Sequence, residues 1–277
     1  MKKRETNGLS IIDRRKVLRV LAAGSTLAVP GWALGKNSLW MPQEELAVTP
    51  QQTEGPFYPD PTIEQQLFSD NDLSQKLGNH EYARGQQCMI NGVIRNRRGE
   101  PVEGSVVEIW QACASGRYNH SRDNDNRMLL DNNFQFWGRV VTGEDGAYSF
   151  KTIIPGKYPG RTARHIHYRV DADGYRRCST QCYFSDFGED NMRDDIYTSL
   201  NRQAREQVTI EFDKPAGAEA GGVEESNTGQ DAREREESRL HNDDDPRGRR
   251  QIEQGDDQQR AEPVVWTGNF DVILANG

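Results

Sequence analysis

The chain has few apolar residues and no long hydrophobic run. Only 34% of its 277 residues are hydrophobic, which is a small share for a wholly globular chain. No uninterrupted stretch of about eighteen apolar residues occurs, so a membrane-spanning helix is not expected. The composition therefore predicts either a small core or a part of the chain that does not pack.

Cysteine is also scarce, and the chain has no excess of positive charge. Four cysteines are too few for a disulfide scaffold, so the fold must rest on a hydrophobic core. Pairing of Cys88 with Cys113, or of Cys178 with Cys182, remains open beside four reduced thiols. The 43 acidic residues outnumber the 35 basic ones and give a net charge of −8, which disfavours a general nucleic-acid binder.

The N-terminal residues have the composition of an export signal. A basic segment with Arg14, Arg15 and Arg19 precedes a mildly apolar stretch and a small-residue site near Gly35. The arginine pair resembles a twin-arginine signal, although an amphipathic helix is the alternative. We expect residues 1–35 to be a twin-arginine-type signal peptide. The mature protein is then periplasmic or secreted and has no membrane anchor.

A second unusual segment, residues 214–262, holds most of the net charge. Its 14 acidic and eight basic residues contribute −6, and Val223, Leu240 and Ile252 are its only large aliphatic residues. Such a segment cannot bury enough apolar surface to offset the entropy lost on ordering. It is predicted to be a disordered charged insertion.

The remaining chain consists of short β-like runs separated by glycine-rich turns. Residues 36–85 include a proline-rich stretch and are expected to form an irregular N-terminal arm. Residues 86–213 predict an all-β core, an antiparallel or mixed β-sandwich, which residues 263–277 complete with a C-terminal strand. Asp145-Gly146 lies between two runs and predicts a hairpin turn. The predicted strands are 88–95, 106–110, 139–142, 147–153, 165–170, 180–184, 208–212, 264–266 and 270–274.

The strongest chemical signal is His165-Ile166-His167, within one predicted strand. Residues two apart share a face of a strand, so both imidazoles can reach one metal ion. Tyr118 and Tyr158 follow glycine-containing turns, although each tyrosine taken alone is more often a packing residue. Two phenolates and two imidazoles form a hard ligand set that favours Fe³⁺ over Zn²⁺. A Zn²⁺ hydrolase is the weaker alternative, because no general-base carboxylate lies beside the histidines.

Several short motifs follow one another along the chain. They are residues 53–58, 110–118, 131–134, 138–139, 148–150, 152–159 and 165–167. In their order, over about residues 49–200, they resemble the intradiol ring-cleavage dioxygenases of the protocatechuate 3,4-dioxygenase type. The resemblance implies a β-sandwich with one non-haem Fe³⁺ ion. It also implies cleavage of a catechol-type diol by O₂ between the two hydroxyl-bearing carbons, which gives a cis,cis-muconate-type dicarboxylate.

The resemblance also assigns roles to individual residues. It implies that Tyr118, Tyr158, His165 and His167 bind the iron, and that Tyr158 leaves the metal when substrate binds. Gln181 matches a glutamine near the iron pocket, where it either contacts substrate or holds an arginine in place. The other strand tyrosines are expected to pack or to line the site; they are Tyr148, Tyr168 and Tyr183. The histidines not expected to bind metal are His80, His120 and His241.

One position departs from the family pattern. The family has an arginine three residues before the first histidine, where this chain has Thr162. We expect Arg161 to take its catalytic role and to stabilise negative charge on the substrate ring, with Arg164 as the alternative. The displaced arginine is also the only support for a rival function, a catalytically impaired, exported binding module with the same fold.

The partners implied are a small aromatic diol and O₂, with no nucleic acid. The resemblance does not choose among catechol derivatives, and it leaves both a monomer and a homo-oligomer open.

Overall fold

The computed structural model describes residues 44–59, 70–76, 78–124, 127–216 and 264–277. The predicted signal peptide, most of the predicted charged insertion and His241 lie outside these ranges. In the described part of the chain, nine strands form two sheets around one hydrophobic core. The helices described there are all too short to cross a membrane.

The first sheet has four strands and is mixed. It contains β1 (Gln87–Asn96), β4 (Ala147–Ile153), β8 (Trp266–Asn269) and β9 (Val272–Leu274). Strand β1 pairs antiparallel with β4, and its other edge pairs in parallel first with β8 and then with β9. The C-terminal residues therefore complete the sheet.

The second sheet has five strands and carries the residues with predicted chemistry. Its order is β3-β2-β5-β6-β7, and only the β6–β7 pair is parallel. The strands are β2 (Val106–Trp110), β3 (Trp137–Val141), β5 (His165–Asp171), β6 (Cys178–Phe184) and β7 (Thr209–Ile210). The two mixed sheets confirm the predicted all-β sandwich.

Alternation along β5 separates the core from the candidate site. Ile166, Tyr168 and Val170 belong to the core between the sheets. His165 and His167 lie on the opposite face, yet both are buried. They are buried because residues 44–59, which have no helix or strand, run along this face as the predicted irregular arm.

The Asp145-Gly146 turn does not form the predicted hairpin. The turn itself is tight, since Gly146 N–H donates to Gly143 O at 2.9 Å. However, β3 pairs with β2 and β4 pairs with β1, so the turn carries the chain from one sheet to the other. The seven residue pairs between β1 and β4, extended by a hydrogen bond from Ile94 N–H to Gly146 O, hold β4 in the first sheet.

Three short helices between β6 and β7 were not predicted from the sequence. After a 3₁₀ turn at Ser185–Phe187, the chain forms α1 (Gly188–Asn191), α2 (Asp195–Ser199) and α3 (Arg202–Val208). None exceeds two turns, so each is too short to show a clear hydrophobic period.

The four cysteines are all buried and free. The two disulfide pairings left open by the sequence are therefore absent from the structure. Burial raises the pKa of the Cys178 thiol to about 12, which keeps it protonated and unreactive at neutral pH.

Candidate metal centre

His165 and His167 form a close pair on the outer face of the five-stranded sheet. Their ring centroids are 4.8 Å apart. The Nδ1 atom of His165 lies 2.8 Å from the carbonyl oxygen of Ala163, to which it donates. Because only one nitrogen of a neutral imidazole carries a proton, Nε2 of His165 presents a lone pair to the site.

Two contacts fix the ring of His167. Trp110 is its partner across the β2–β5 ladder, and the two rings stack at 4.9 Å with an angle of 4° between their planes. On the other side the arm passes very close. A Cβ atom at Gly55 would lie 3.2 Å from Cε1 of His167, and Gly55 has a φ of +68°.

Two glycines let the tyrosine-bearing loops meet. Gly116 has a φ of +88°, and a Cβ atom there would lie 1.9 Å from the carbonyl oxygen of the facing loop; at Gly156 the distance would be 2.3 Å. Any side chain would therefore force the loops apart. Their contact brings the rings of Tyr118 and Tyr158 to 5.3 Å between centroids.

The four predicted ligands form one cluster. The Tyr158 hydroxyl lies 3.2 Å from Nε2 of His165, which joins the tyrosine pair to the histidine pair. The backbone N–H of Tyr118 donates to Oδ2 of Asp123 at 2.7 Å, so its loop is tied down locally. Side chains from two loops and one strand thus converge.

The cluster fits a hard metal ion. The Tyr118 hydroxyl oxygen is buried, and among the described residues it has no hydrogen-bond partner of normal geometry. In the same part of the chain, no group of three or more histidine, cysteine, aspartate or glutamate side chains is arranged to bind a metal. Any ion bound here must therefore use the phenol oxygens as well as the imidazoles, and such a donor set suits Fe³⁺.

Burial sets the protonation states of these groups. It lowers the pKa of His165 to about 3 and that of His167 well below its usual value, and the charge of Arg161 lowers both further. Both imidazoles are thus neutral and able to bind metal at pH 7. Burial raises the pKa of Tyr118 and of Tyr158. The charge of a bound cation acts in the opposite direction and favours the ionised phenols.

Arg161 lies at the centre of the polar network beside the cluster. Its Nε donates to Asp194 at 2.8 Å, and its Nη2 donates to Oε1 of Gln181 at 2.8 Å. Its Nη1 lies 3.1 Å from Nε2 of His165. The guanidinium is therefore clamped on one side and directs Nη1 toward the candidate ligands. Burial and the Arg161 charge act in opposite directions on Asp194, and the net effect lowers its pKa.

Gln181 links this arginine to the arm. Its Oε1 accepts from Arg161 and, at 2.9 Å, from the Tyr183 hydroxyl. Its Nε2 donates to the carbonyl oxygen of Thr53 at 2.8 Å. Of the two roles open for Gln181, the structure places it where it holds the arginine.

Arg164 points away from the cluster. Its Nη1 donates to the carbonyl oxygen of Pro155 at 2.8 Å, and its guanidinium lies 4.9 Å from the centroid of the Phe187 ring. The structure therefore places Arg161, and not Arg164, beside the predicted ligands.

Aromatic residues of the arm cover the cluster. Phe57 stacks on Tyr118 with ring centroids 4.6 Å apart and lies 5.8 Å from Tyr158. Tyr58 packs edge-on against Trp110 at 4.9 Å, and its hydroxyl donates to Oε2 of the buried Glu108 at 3.0 Å. The arm thereby removes the ligand groups from bulk water.

The tyrosines and histidines that were not predicted to bind the metal differ in their distance from the site. Tyr148 and Tyr168 pack in the core, whereas Tyr183 lines the site through Arg161. The ring of His120 lies 5.6 Å from that of Phe57. His80 is exposed and lies outside the cluster.

Three further residues at the site were not given roles from the sequence. Trp110 and Phe57 occur inside recognised motifs, but the pairing of Trp110 with His167 across β2 and β5 is seen only in the structure. Asp194 lies outside every motif. The acidic pair Asp194-Asp195 indicates only a helix start, so its contact with Arg161 appears only in three dimensions.

Known proteins with similar sequences are dioxygenases. The model of a family described as "Dioxygenase" matches residues 54–228. The chain is 33% identical over 151 residues to the beta chain of protocatechuate 3,4-dioxygenase from Burkholderia cepacia, covering 52% of this chain and 63% of that protein. It is 26% identical over 193 residues to catechol 1,2-dioxygenase from Acinetobacter baylyi, covering 64% of this chain and 58% of that one. The matched region thus spans less than two thirds of these relatives.

Solved structures of dioxygenases share the fold. The dioxygenase domain of a dioxygenase–carbohydrate-binding protein fusion from Streptomyces sp. SirexAA-E has a TM-score of 0.50 at 22% identity, covering 83% of this chain and 100% of that domain. An intradiol ring-cleavage dioxygenase from Tetranychus urticae has a TM-score of 0.50 at 20% identity, covering 83% and 95%. At these identities the likeness concerns the fold alone. Since the family model covers more than half of the sequence, the chain belongs to the intradiol ring-cleavage dioxygenase family.

Proposed function

We propose that the protein uses a non-haem Fe³⁺ ion and O₂ to cleave a catechol-type diol between its two hydroxyl-bearing carbons. The product is a cis,cis-muconate-type dicarboxylate that contains both oxygen atoms of O₂. One observation carries the proposal: Tyr118, Tyr158, His165 and His167 converge on one buried spot. Within the described part of the chain, the Tyr118 hydroxyl oxygen there has no hydrogen-bond partner of normal geometry.

In this proposal the four side chains hold the ion. A bound Fe³⁺ would supply Lewis-acid chemistry that activates the diol ring toward O₂. The protein contributes neutral imidazoles, phenol oxygens and a site shielded from bulk water.

Tyr158 is suited to receive a proton from the diol. It is only partly buried, whereas Tyr118 is fully buried, so Tyr158 is the more accessible of the two phenols. Burial raises its pKa above the ordinary value. Once its oxygen is free of a cation, it therefore holds a proton at neutral pH.

Arg161 is suited to stabilise negative charge on the substrate ring. Its Nε and Nη2 are occupied by Asp194 and Gln181, which leaves Nη1 facing the ligand cluster. A cation that is already fixed beside the site stabilises a developing anion without any rearrangement of the protein.

The proposal includes export of the folded protein by residues 1–35. The basic segment with its arginine pair supports it, and a twin-arginine signal is read as an address. The combined substitutions Arg14→Lys and Arg15→Lys are expected to leave the protein in the cytoplasm of fractionated cells, and unchanged export contradicts this part.

The reaction is tested with the iron-loaded protein and a panel of catechol, protocatechuate, hydroxyquinol and alkylated catechols. We expect at least one diol to be consumed with one molecule of O₂ per ring, and the product mass to equal diol plus O₂. His167→Asn is expected to abolish this uptake, whereas His80→Asn, at an exposed histidine outside the cluster, preserves it. Diol consumption without ring opening refutes the proposal.

A further inference from the structure

Asp194 lies outside every motif of the sequence, yet it holds the arginine beside the ligand cluster. Its side chain is 1% exposed, and it follows the site residues by about thirty positions at the start of α2. A buried carboxylate requires charge compensation and hydrogen bonds.

Both oxygens of Asp194 accept from Arg161, Oδ1 by the longer contact with Nη2 at 3.2 Å, but their other partners differ. Oδ2 accepts from Nε of Arg161 at 2.8 Å and from the backbone N–H of Ala163 at 3.3 Å. Oδ1 accepts from the backbone N–H groups of Ile196 and Tyr197 at 3.1 and 3.2 Å. One oxygen thus fixes the segment that leads into β5, and the other caps α2.

This arrangement directs one nitrogen of Arg161 toward the candidate ligands. Nε is bound by Asp194, and Nη2 is shared among Gln181 at 2.8 Å, Asp194 at 3.2 Å and Tyr183 at 3.3 Å. Only Nη1 faces the candidate ligands, 3.1 Å from Nε2 of His165. A flexible arginine side chain is thereby limited to one orientation.

We propose that Asp194 is the positioning residue for the reaction: it holds Arg161 so that Nη1 points at the substrate ring, and it ties that orientation to α2. This inference rests on the proposed function. Asp194 itself touches neither substrate nor metal ligands and acts only through Arg161.

Asp194→Asn separates the two duties of this carboxylate. Asparagine is nearly isosteric and caps helices as well as aspartate does, so Oδ1 continues to serve α2. The amide that replaces Oδ2 presents a donor to Nε of Arg161 and to the backbone N–H of Ala163, so both of those hydrogen bonds are lost. Only the longer contact of Arg161 Nη2 with Oδ1, at 3.2 Å, remains of the clamp. Asp195→Asn is the matched control, because Asp195 is the exposed neighbour in the same helical turn.

The test measures iron content, KM, kcat and urea unfolding for the wild type, Asp194→Asn, Asp195→Asn, Arg161→Ala and the double variant Asp194→Asn/Arg161→Ala. We expect Asp194→Asn to keep its iron and its diol KM while kcat falls about tenfold or more, the order expected when a buried charged donor loses its partner. In the Arg161→Ala background, Asp194→Asn is expected to change kcat no further. In the iron-free protein, the two substitutions are expected to be non-additive in unfolding.

Three results overturn the inference. One is a wild-type kcat in Asp194→Asn, and the other is a double variant whose loss of kcat equals the product of the two single losses. A protein that folds but loses iron or raises KM points to a purely structural role and overturns it as well. A wild type that opens no diol refutes the proposed function, whereas an active wild type with an unaffected Asp194→Asn refutes this role alone.

Discussion

His165 and His167 combine full burial with a position on the face of β5 that lies away from the core. An exposed histidine can take up a proton without a desolvation penalty. These two histidines are instead packed between Trp110, the arm and Arg161. Burial and the nearby guanidinium hold both pKa values far below the usual value of 6.5. The stability of the iron-free protein must therefore depend on pH.

Acidification is predicted to destabilise the iron-free protein. The unfolded chain binds a proton at His165 below pH 6.5, whereas the folded chain does so only near pH 3. Stability is fully present above pH 6.5 and is lost as the pH falls toward 3. Each such histidine contributes about 1.4 kcal/mol per pH unit. Urea unfolding between pH 7.5 and 4.5 measures this slope.

Substitution identifies the source of that slope. His165→Asn is expected to remove about one histidine's share, and His80→Asn, whose ring is exposed in the folded protein, serves as the control. A wild-type slope in His165→Asn contradicts the electrostatic account.

Arg161→Ala is predicted to reduce kcat by about 10² to 10³, the range seen when one donor to a developing anion is removed. Iron content is expected to hold, because Arg161 is not among the proposed ligands. Steady-state kinetics with metal analysis checks both points. Arg193→Ala, at an exposed arginine of the α1–α2 segment, is the control, and an equal loss there refutes a specific role for Arg161.

At the residue scale, the sequence predicted what is local and missed what is distant. The spacing of His165 and His167 fixes their common face, so this pair followed from strand geometry alone. The two tyrosines required the family resemblance, because neither shares a structural element with the histidines. Asp194 was missed, since only the folded path of α2 brings it to Arg161.

At the scale of elements, the strands followed from β propensity but their pairing did not. Each of the nine predicted runs overlaps a strand, although 264–266 shares only Trp266 with β8 and 208–212 contains the two-residue strand β7. The Asp145-Gly146 turn was assigned to a hairpin because turn chemistry reports the local bend and not the partner of the next strand. Strand β4 pairs with β1 because the long edge of β1 offers it seven residue pairs. The short helices after β6 depend on side-chain caps at Asp194 and Asn201 more than on any periodic pattern.

Contact between the two tyrosine-bearing loops depends on Gly116, and its substitution provides an element-scale test. Gly116→Ala places Cβ against backbone at 1.9 Å in addition to the strain of a φ of +88°. We predict a loss of iron content together with a lower melting temperature. Gly78→Ala is the matched control, because Gly78 has a φ of +90° with nothing within 4 Å.

The control separates the effect of steric contact between Cβ and the facing loop from the effect of backbone strain at a positive φ. Gly78→Ala is expected to cost only the strain of a left-handed residue, about 1–2 kcal/mol, and to keep its iron. Equal iron contents in the two variants would show that contact between the loops does not position the tyrosines.

For the whole molecule, the acidic and apolar-poor composition conceals an ordinary β core. Residues 214–262 carry −6 of the net charge of −8, and the described residues around them close the sandwich. Asp213 and Thr267 exchange two backbone hydrogen bonds, at 2.8 and 3.0 Å. The ammonium of Lys214 lies 4.3 Å from the centroid of the Trp266 ring.

Because Asp213 and Thr267, on either side of the charged segment, pair with each other, residues 217–263 are predicted to be dispensable for folding. A flexible linker of about eight residues spans the remaining gap, since each extended residue covers about 3.3 Å. We expect the shortened protein to retain its melting temperature and iron content, as measured by calorimetry and metal analysis. A shortened protein that aggregates or loses iron contradicts this prediction, and a linker of twice the length checks that strain is not the cause.

The central claim is that phenol oxygens of Tyr118 and Tyr158 bind Fe³⁺ together with two imidazoles. The visible absorption spectrum of the iron-loaded protein tests it most directly, because tyrosinate-to-Fe³⁺ charge transfer colours the protein burgundy. The account predicts a visible band that shifts when catechol is added, that is lost or displaced in Tyr118→Phe, and that is unchanged in Tyr82→Phe, a partly exposed tyrosine outside the cluster. A colourless iron-loaded protein, or the same band in both variants, would contradict it.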